Sequence, residues 1–110
     1  MTTGKSAGKN RYKDHQILVK KILLRLSEAG HFAWANNTGA VKTENRYIRF
    51  GLKGSPDILC LTEKGEFVAI EVKTGNAVQN RSQKNFEKAV QKRGGLYIVA
   101  RSLEDIECLL

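Results

Sequence analysis

Apolar residues recur with a helical period from Asp14 to Ala29. Leu18, Ile22, Leu26 and Ala29 fall on one stripe, and Val19 and Leu23 widen it. Gly30 is a natural stop, and Asp14 suits the N-cap position, where its charge meets the positive end of the helix. The period then shortens. His31–Asn36 reads as a short strand, and Asn36–Gly39 turns the chain. Val41–Asn45 is polar and reads as a loop, while Tyr47–Phe50 is either a short strand or an ordered loop. Ile58–Leu61 and Phe67–Lys73 are two hydrophobic runs, rich in branched and aromatic residues, joined by the turn Thr62–Glu66; together they predict an antiparallel hairpin. A second helix is expected over Arg81–Arg93, with Phe86, Ala89 and Val90 buried and Gly94–Gly95 ending it. Leu96–Ala100 is a buried strand, and Ser102 caps a last short helix carrying Leu103, Ile106, Leu109 and Leu110. A helix crossing between two strands favours a parallel pair. The fold expected is α/β, a central mixed sheet flanked by helices.

The hairpin carries the chemistry. It brings Asp57, before its first strand, beside Glu71, near the end of its second. Glu71 and Lys73 point the same way, about 7 Å apart at Cα, because side chains alternate along a strand. Two neighbouring carboxylates repel unless a cation lies between them, and a hard divalent ion with oxygen ligands fits such a pair. Val68, Ile70 and Val72 make one face of the strand, while Phe67 and Ala69 point to cover on the other, so its charged residues need partners. Gly51 and Gly54 permit backbone shapes closed to other residues, and Pro56 fixes the entry to the strand. Asp14 has a second reading as a further carboxylate over this site. Gln83 also has two: a reach toward the site from the second helix, or a capping box with Asn80. His15 and His31 have no ligand-like spacing and read as ordinary residues.

Charge adds a partner. The net charge is +8, and Lys5, Lys9, Arg11 and Lys13 lie in a stretch without an acid. Residues 1–13 therefore read as a basic, mobile arm ahead of a single domain over 14–110. Lys42, Arg46, Arg49 and Lys53 gather just upstream of Asp57, and Lys84 follows Gln83; these are the candidate contacts for a phosphate backbone. Cys60 and Cys108 are too few and too far apart for a disulfide framework or a zinc site, and Cys60 reads as a core residue. No run is long and apolar enough to span a membrane and no secretory pattern is visible, so a soluble intracellular protein is expected.

Gly51, Gly54, Pro56 and Asp57, followed fourteen positions later by Glu71-Val72-Lys73, then Gln83 and Gly94-Gly95, resemble the virus-type replication-repair nuclease (VRR-NUC) domain of the PD-(D/E)XK nucleases. The resemblance runs from Asp14 to Leu103, and it departs at the first helix, where the family often has Glu and this chain offers Asp14. It implies a metal-dependent deoxyribonuclease. In that reading Asp57, Glu71 and the Val72 carbonyl hold Mg²⁺ or Mn²⁺, with Asp14 bound through water. Lys73 orients the attacking water, and Gln83 assists. It further implies a homodimer acting on branched DNA such as four-way junctions. Two rivals stand beside it: a structure-selective DNA-binding module that does not cut, and a sequence-specific restriction-type endonuclease.

Overall fold

The computed structural model describes residues 7–110. In chain order it contains helix α1 (Ala7–Glu28) and strands β1 (Phe32–Ala35), β2 (Gly39–Lys42), β3 (Tyr47–Phe50), β4 (Ile58–Leu61) and β5 (Phe67–Val72). Helix α2 (Arg81–Lys92), strand β6 (Leu96–Ala100) and a closing 3₁₀ helix (Leu103–Leu109) complete it. Four strands form the main sheet in the order β1-β4-β5-β6. β1 and β5 flank β4 in antiparallel fashion, and β5 runs parallel to β6 through α2. The hairpin and the crossover are thus where the sequence places them, in a mixed sheet flanked by helices.

α1 begins seven residues before Asp14, which lies inside the helix as an exposed residue and caps nothing. Once the apolar turns are nucleated by packing, each further residue is added at little cost, and Ala, Lys and Arg are good helix formers. Of the expected basic arm, residues 1–6 lie outside the described residues, and the rest is the first part of α1. Val41, expected in a loop, instead belongs to β2. β2 and β3 pair antiparallel as a ribbon separate from the main sheet, with Val41 opposite Ile48 and Lys42 opposite Tyr47.

The two faces of the sheet differ. On one, Ile58, Cys60, Val68, Ile70, Val72 and Ala100 pack under Val19, Ile22 and Leu26 of α1 and Ile106 of the 3₁₀ helix. The C-terminal apolar stripe therefore covers the sheet. His31 ties these parts together: its Nε2 bonds the Leu109 carbonyl, and its Nδ1 accepts from the Glu63 amide at 3.2 Å. On the other face α2 covers Ala69 and Tyr97 through Phe86 and Val90. Its apolar contacts are with β5 and β6. On the same face Phe32, Leu61 and Phe67 share one row of the register and are 69, 42 and 40% exposed, with Trp34 beside Phe32. Cover over Phe67 is accordingly partial.

Candidate functional site

The β4–β5 register pairs Ile58 with Ile70, so the next residues out are Asp57 and Glu71. Asp57 arrives on a turn. Gly51 and Gly54 both have positive φ (76° and 84°), Pro56 is buried, and Asn36 donates from its amide to Ser55 Oγ (2.8 Å) and to the Pro56 carbonyl (2.9 Å). Asp57 Oδ2 then accepts from the Val72 amide at 2.8 Å, which locks the loop-borne acid to the end of β5. His15 of α1 brings its Nε2 to 3.3 Å from the same oxygen.

Glu71 arrives on the strand itself and is 4% exposed. Its Oε2 accepts from Gln83 Nε2 at 2.9 Å and lies 3.3 Å from Lys73 Nζ. Its Oε1 is buried without a partner. Burial first, and the charge of Asp57 second, push the Glu71 carboxyl up to about 7, against a smaller downward pull from Lys73. Gln83 fulfils both of its readings at once. Its Oε1 accepts from the Asn80 amide (2.9 Å), its own amide donates to Asn80 Oδ1 (2.9 Å), and the remaining Nε2 holds Glu71.

The oxygens left over suit a hard divalent cation. The bonds found on Asp57 go to Oδ2, and Glu71 keeps an orphaned buried Oε1. A residue in a strand sends its N–H and C=O to the same side, so the Val72 carbonyl leaves toward Asp57 as well. Among the described residues no three His, Cys, Asp or Glu side chains cluster to hold an ion. Asp14 sits beside His15 in the helix, rotated by about 100°, and no bond joins it to the acids. The oxygen donors that stand together are thus those of two carboxylates and main chain.

A model of the VRR-NUC domain matches residues 9–104. The chain belongs to the VRR-NUC family. A VRR-NUC domain is a nuclease of the PD-(D/E)XK type. A solved structure described as a VRR_NUC domain superposes with a TM-score of 0.63, covering 87% of this chain and 92% of that one at 22% identity, which establishes the shared fold. No curated protein matches.

In this VRR-NUC domain the upstream cations do not all stand in one place. Lys42 and Arg49 lie on the face of the ribbon that also carries Tyr47, whose ring sits 5.9 Å from the Arg49 guanidinium; Arg46 is in the connecting turn. Lys53 lies in the Gly51–Gly54 turn and Lys84 on the first turns of α2, and all five are exposed. Sequence reasoning missed His15. The signal was available, because His15 extends the Leu18–Ile22 stripe back by one turn, at i−3 and i−7. No described helix is long and apolar enough to cross a membrane.

Proposed function

We propose that the protein is an endonuclease that hydrolyses phosphodiester bonds in DNA, selecting branched structures such as four-way junctions and acting as a homodimer. The observation that carries this reading is the placement of Asp57, Glu71 and Lys73 at one end of the sheet, with Glu71 Oε1 buried and unpartnered. Asp57, Glu71 and the Val72 carbonyl would hold Mg²⁺ or Mn²⁺. Such an ion supplies Lewis-acid charge at the scissile phosphate and makes water more acidic. Two carboxylates with main chain suit Mg²⁺, which keeps several waters and takes further oxygens from substrate phosphate.

The chain's own groups do the remainder. Lys73 neutralises Glu71 before substrate arrives and presents an ammonium to the charge that develops on phosphate oxygens. Gln83 fixes the Glu71 rotamer by holding Oε2, which leaves Oε1 for a further ligand. Lys42, Arg46, Arg49, Lys53 and Lys84 hold the backbone without reading bases, so preference follows DNA shape. The bare strip of Phe32, Trp34, Leu61 and Phe67 supports pairing of two chains, since exposed apolar patches of this kind mark interfaces. Two-fold symmetry matches a substrate that needs two symmetric cuts.

The test is a panel of labelled junction, flap, duplex and single-stranded oligonucleotides with Mg²⁺ or Mn²⁺, run with wild type and Glu71→Ala. The expected result is metal-dependent cutting, fastest on the junction, that the variant lacks. Undiminished cutting by Glu71→Ala would remove the proposed site. Tight junction binding with no cutting in either metal would leave a binding module.

A further inference from the structure

The β2–β3 ribbon and the Gly51–Gly54 turn enclose a cleft of about 210 Å³ whose walls include Thr38, Arg49, Gly51, Lys53 and Gly54. That is room for about seven waters at roughly 30 Å³ each. Two of the lining residues are cations and none is an acid. Among the described residues neither Arg49 nor Lys53 has a carboxylate partner. Two like charges around one cleft favour an anion between them. The glycines in the wall let the turn pack tightly against its neighbours. A Cβ on Gly51 would stand 2.7 Å from Thr38 Cγ2 and 3.0 Å from the Asn37 carbonyl oxygen.

The cleft is also tied to the acids. A Cβ on Gly54 would stand 2.4 Å from the Ser82 carbonyl oxygen, so the turn lies directly on the first turn of α2. Ser82 precedes Gln83, which holds Glu71. In the other direction Gly54 leads through buried Pro56 to Asp57, three residues on and thus at most about 11 Å away. Successive phosphates of one strand rise about 3.4 Å along the duplex axis. The Gly54 edge of the cleft therefore lies within about three nucleotides of Asp57.

We propose that this cleft is a second phosphate seat, in which Arg49 and Lys53 together hold one phosphodiester group of the DNA strand near the one that is cut. The proposal rests on the reading that DNA is the substrate, and it separates these two cations from Lys42, Arg46 and Lys84, which do not line the cleft. Because the seat is keyed to both acids, it positions the strand along the site rather than adding affinity alone.

The first measurement is the salt dependence of binding to a duplex oligonucleotide in EDTA, where nothing is cut. One shared phosphate predicts that Arg49→Gln/Lys53→Gln lowers the slope of log affinity against log salt by about 0.9, with either single variant, which leaves one cation on that phosphate, losing less. A charge-matched double, Lys64→Gln/Lys92→Gln, at the β4–β5 turn and the end of α2, should leave the slope nearly unchanged. Equal slopes in the two doubles, or additive single losses summing to about 1.8, would overturn the shared seat. Millimolar inorganic phosphate at constant ionic strength should displace DNA more from wild type than from the Arg49/Lys53 double, since both anions compete for one seat, and equal displacement would count against it. On a substrate that is cut, one neutral methylphosphonate within three nucleotides of the break should slow wild type and not the double variant. The EDTA slopes stand whether or not the protein cuts, so failure of the seat and failure of the nuclease reading are separable.

Discussion

Asp57 and Glu71 face each other across one pair of strands, yet the chain holds them by different means. Asp57 is half-buried, comes from a turn, and spends Oδ2 on the Val72 amide and on His15. Glu71 belongs to the strand, is closed off from water, and leaves Oε1 without a partner. One acid is part of the scaffold as well as of the site. The other carries an unmet demand for a cation, and Lys73 meets only half of it. Substitutions at the two positions should therefore differ in kind.

The largest effect tests what they share. Glu71→Ala, Asp57→Ala and Lys73→Ala should each reduce cleavage by about 10²–10³-fold or more, the range seen when one preorganised charge-stabilising group is removed. Single-turnover rates on a junction substrate would measure it. If only one carboxylate mattered, the shared-cation reading would fail.

Stability should then separate them. The folded metal-free protein holds a proton on Glu71 more tightly than the unfolded chain does, because the carboxyl is pushed from 4.5 to about 7. The contribution of the neutral acid is fully present below about 4.5 and is lost as pH rises through about 7, on the order of 3 kcal/mol in all. Urea unfolding in EDTA between pH 4 and 8 should show this fall, and Glu71→Gln should flatten it. Asp57→Ala should shorten the fall, since Asp57 is its second cause, while adding a loss of about 1–3 kcal/mol for the orphaned Val72 amide. A falling curve that persists in Glu71→Gln would place the titrating group elsewhere.

The same contrast explains what could be read from the sequence. Strand alternation and a tight hairpin turn fixed Glu71, Lys73 and Asp57 relative to one another, because those relations are local and follow from a period of two. The parallel β5–β6 pair was legible for a similar reason, as a helix between two strands leaves little choice. The β2–β3 ribbon was not. Val41, Tyr47, Ile48 and Phe50 are all exposed, so no buried face imposed an alternation that a reader could detect. The start of α1 was missed because it follows from helix propagation rather than apolar spacing.

The turn that delivers Asp57 offers a smaller perturbation. Gly54→Ala places a side chain at φ 84° and against the Ser82 carbonyl. We expect a loss of at least about 1–2 kcal/mol from the left-handed backbone alone. A cleavage defect larger than that of an equally destabilising Val90→Ala would show that the turn's position is what counts. Gln83 divides likewise: Asn80→Ala removes only the cap, at about 1 kcal/mol, and should spare cleavage, whereas Gln83→Ala also frees Glu71 and should not.

The smallest effect belongs to His15, the residue that links α1 to the loop-borne acid. Its ring and Asp57 are both more than a quarter exposed, so the pair contributes little to stability, about 0–1 kcal/mol. Two roles remain. If His15 only buttresses Asp57, His15→Asn and His15→Ala should leave the rate of the chemical step within a few-fold of wild type at every pH. If His15 competes for Asp57 Oδ2, both variants should bind Mn²⁺ more tightly. The Val72 amide already anchors that oxygen at 2.8 Å, so the scaffold does not need the histidine. We therefore expect the second outcome, read by Mn²⁺ titration of the DNA-free protein. Identical affinities for wild type and both variants would return His15 to the helix as a packing residue.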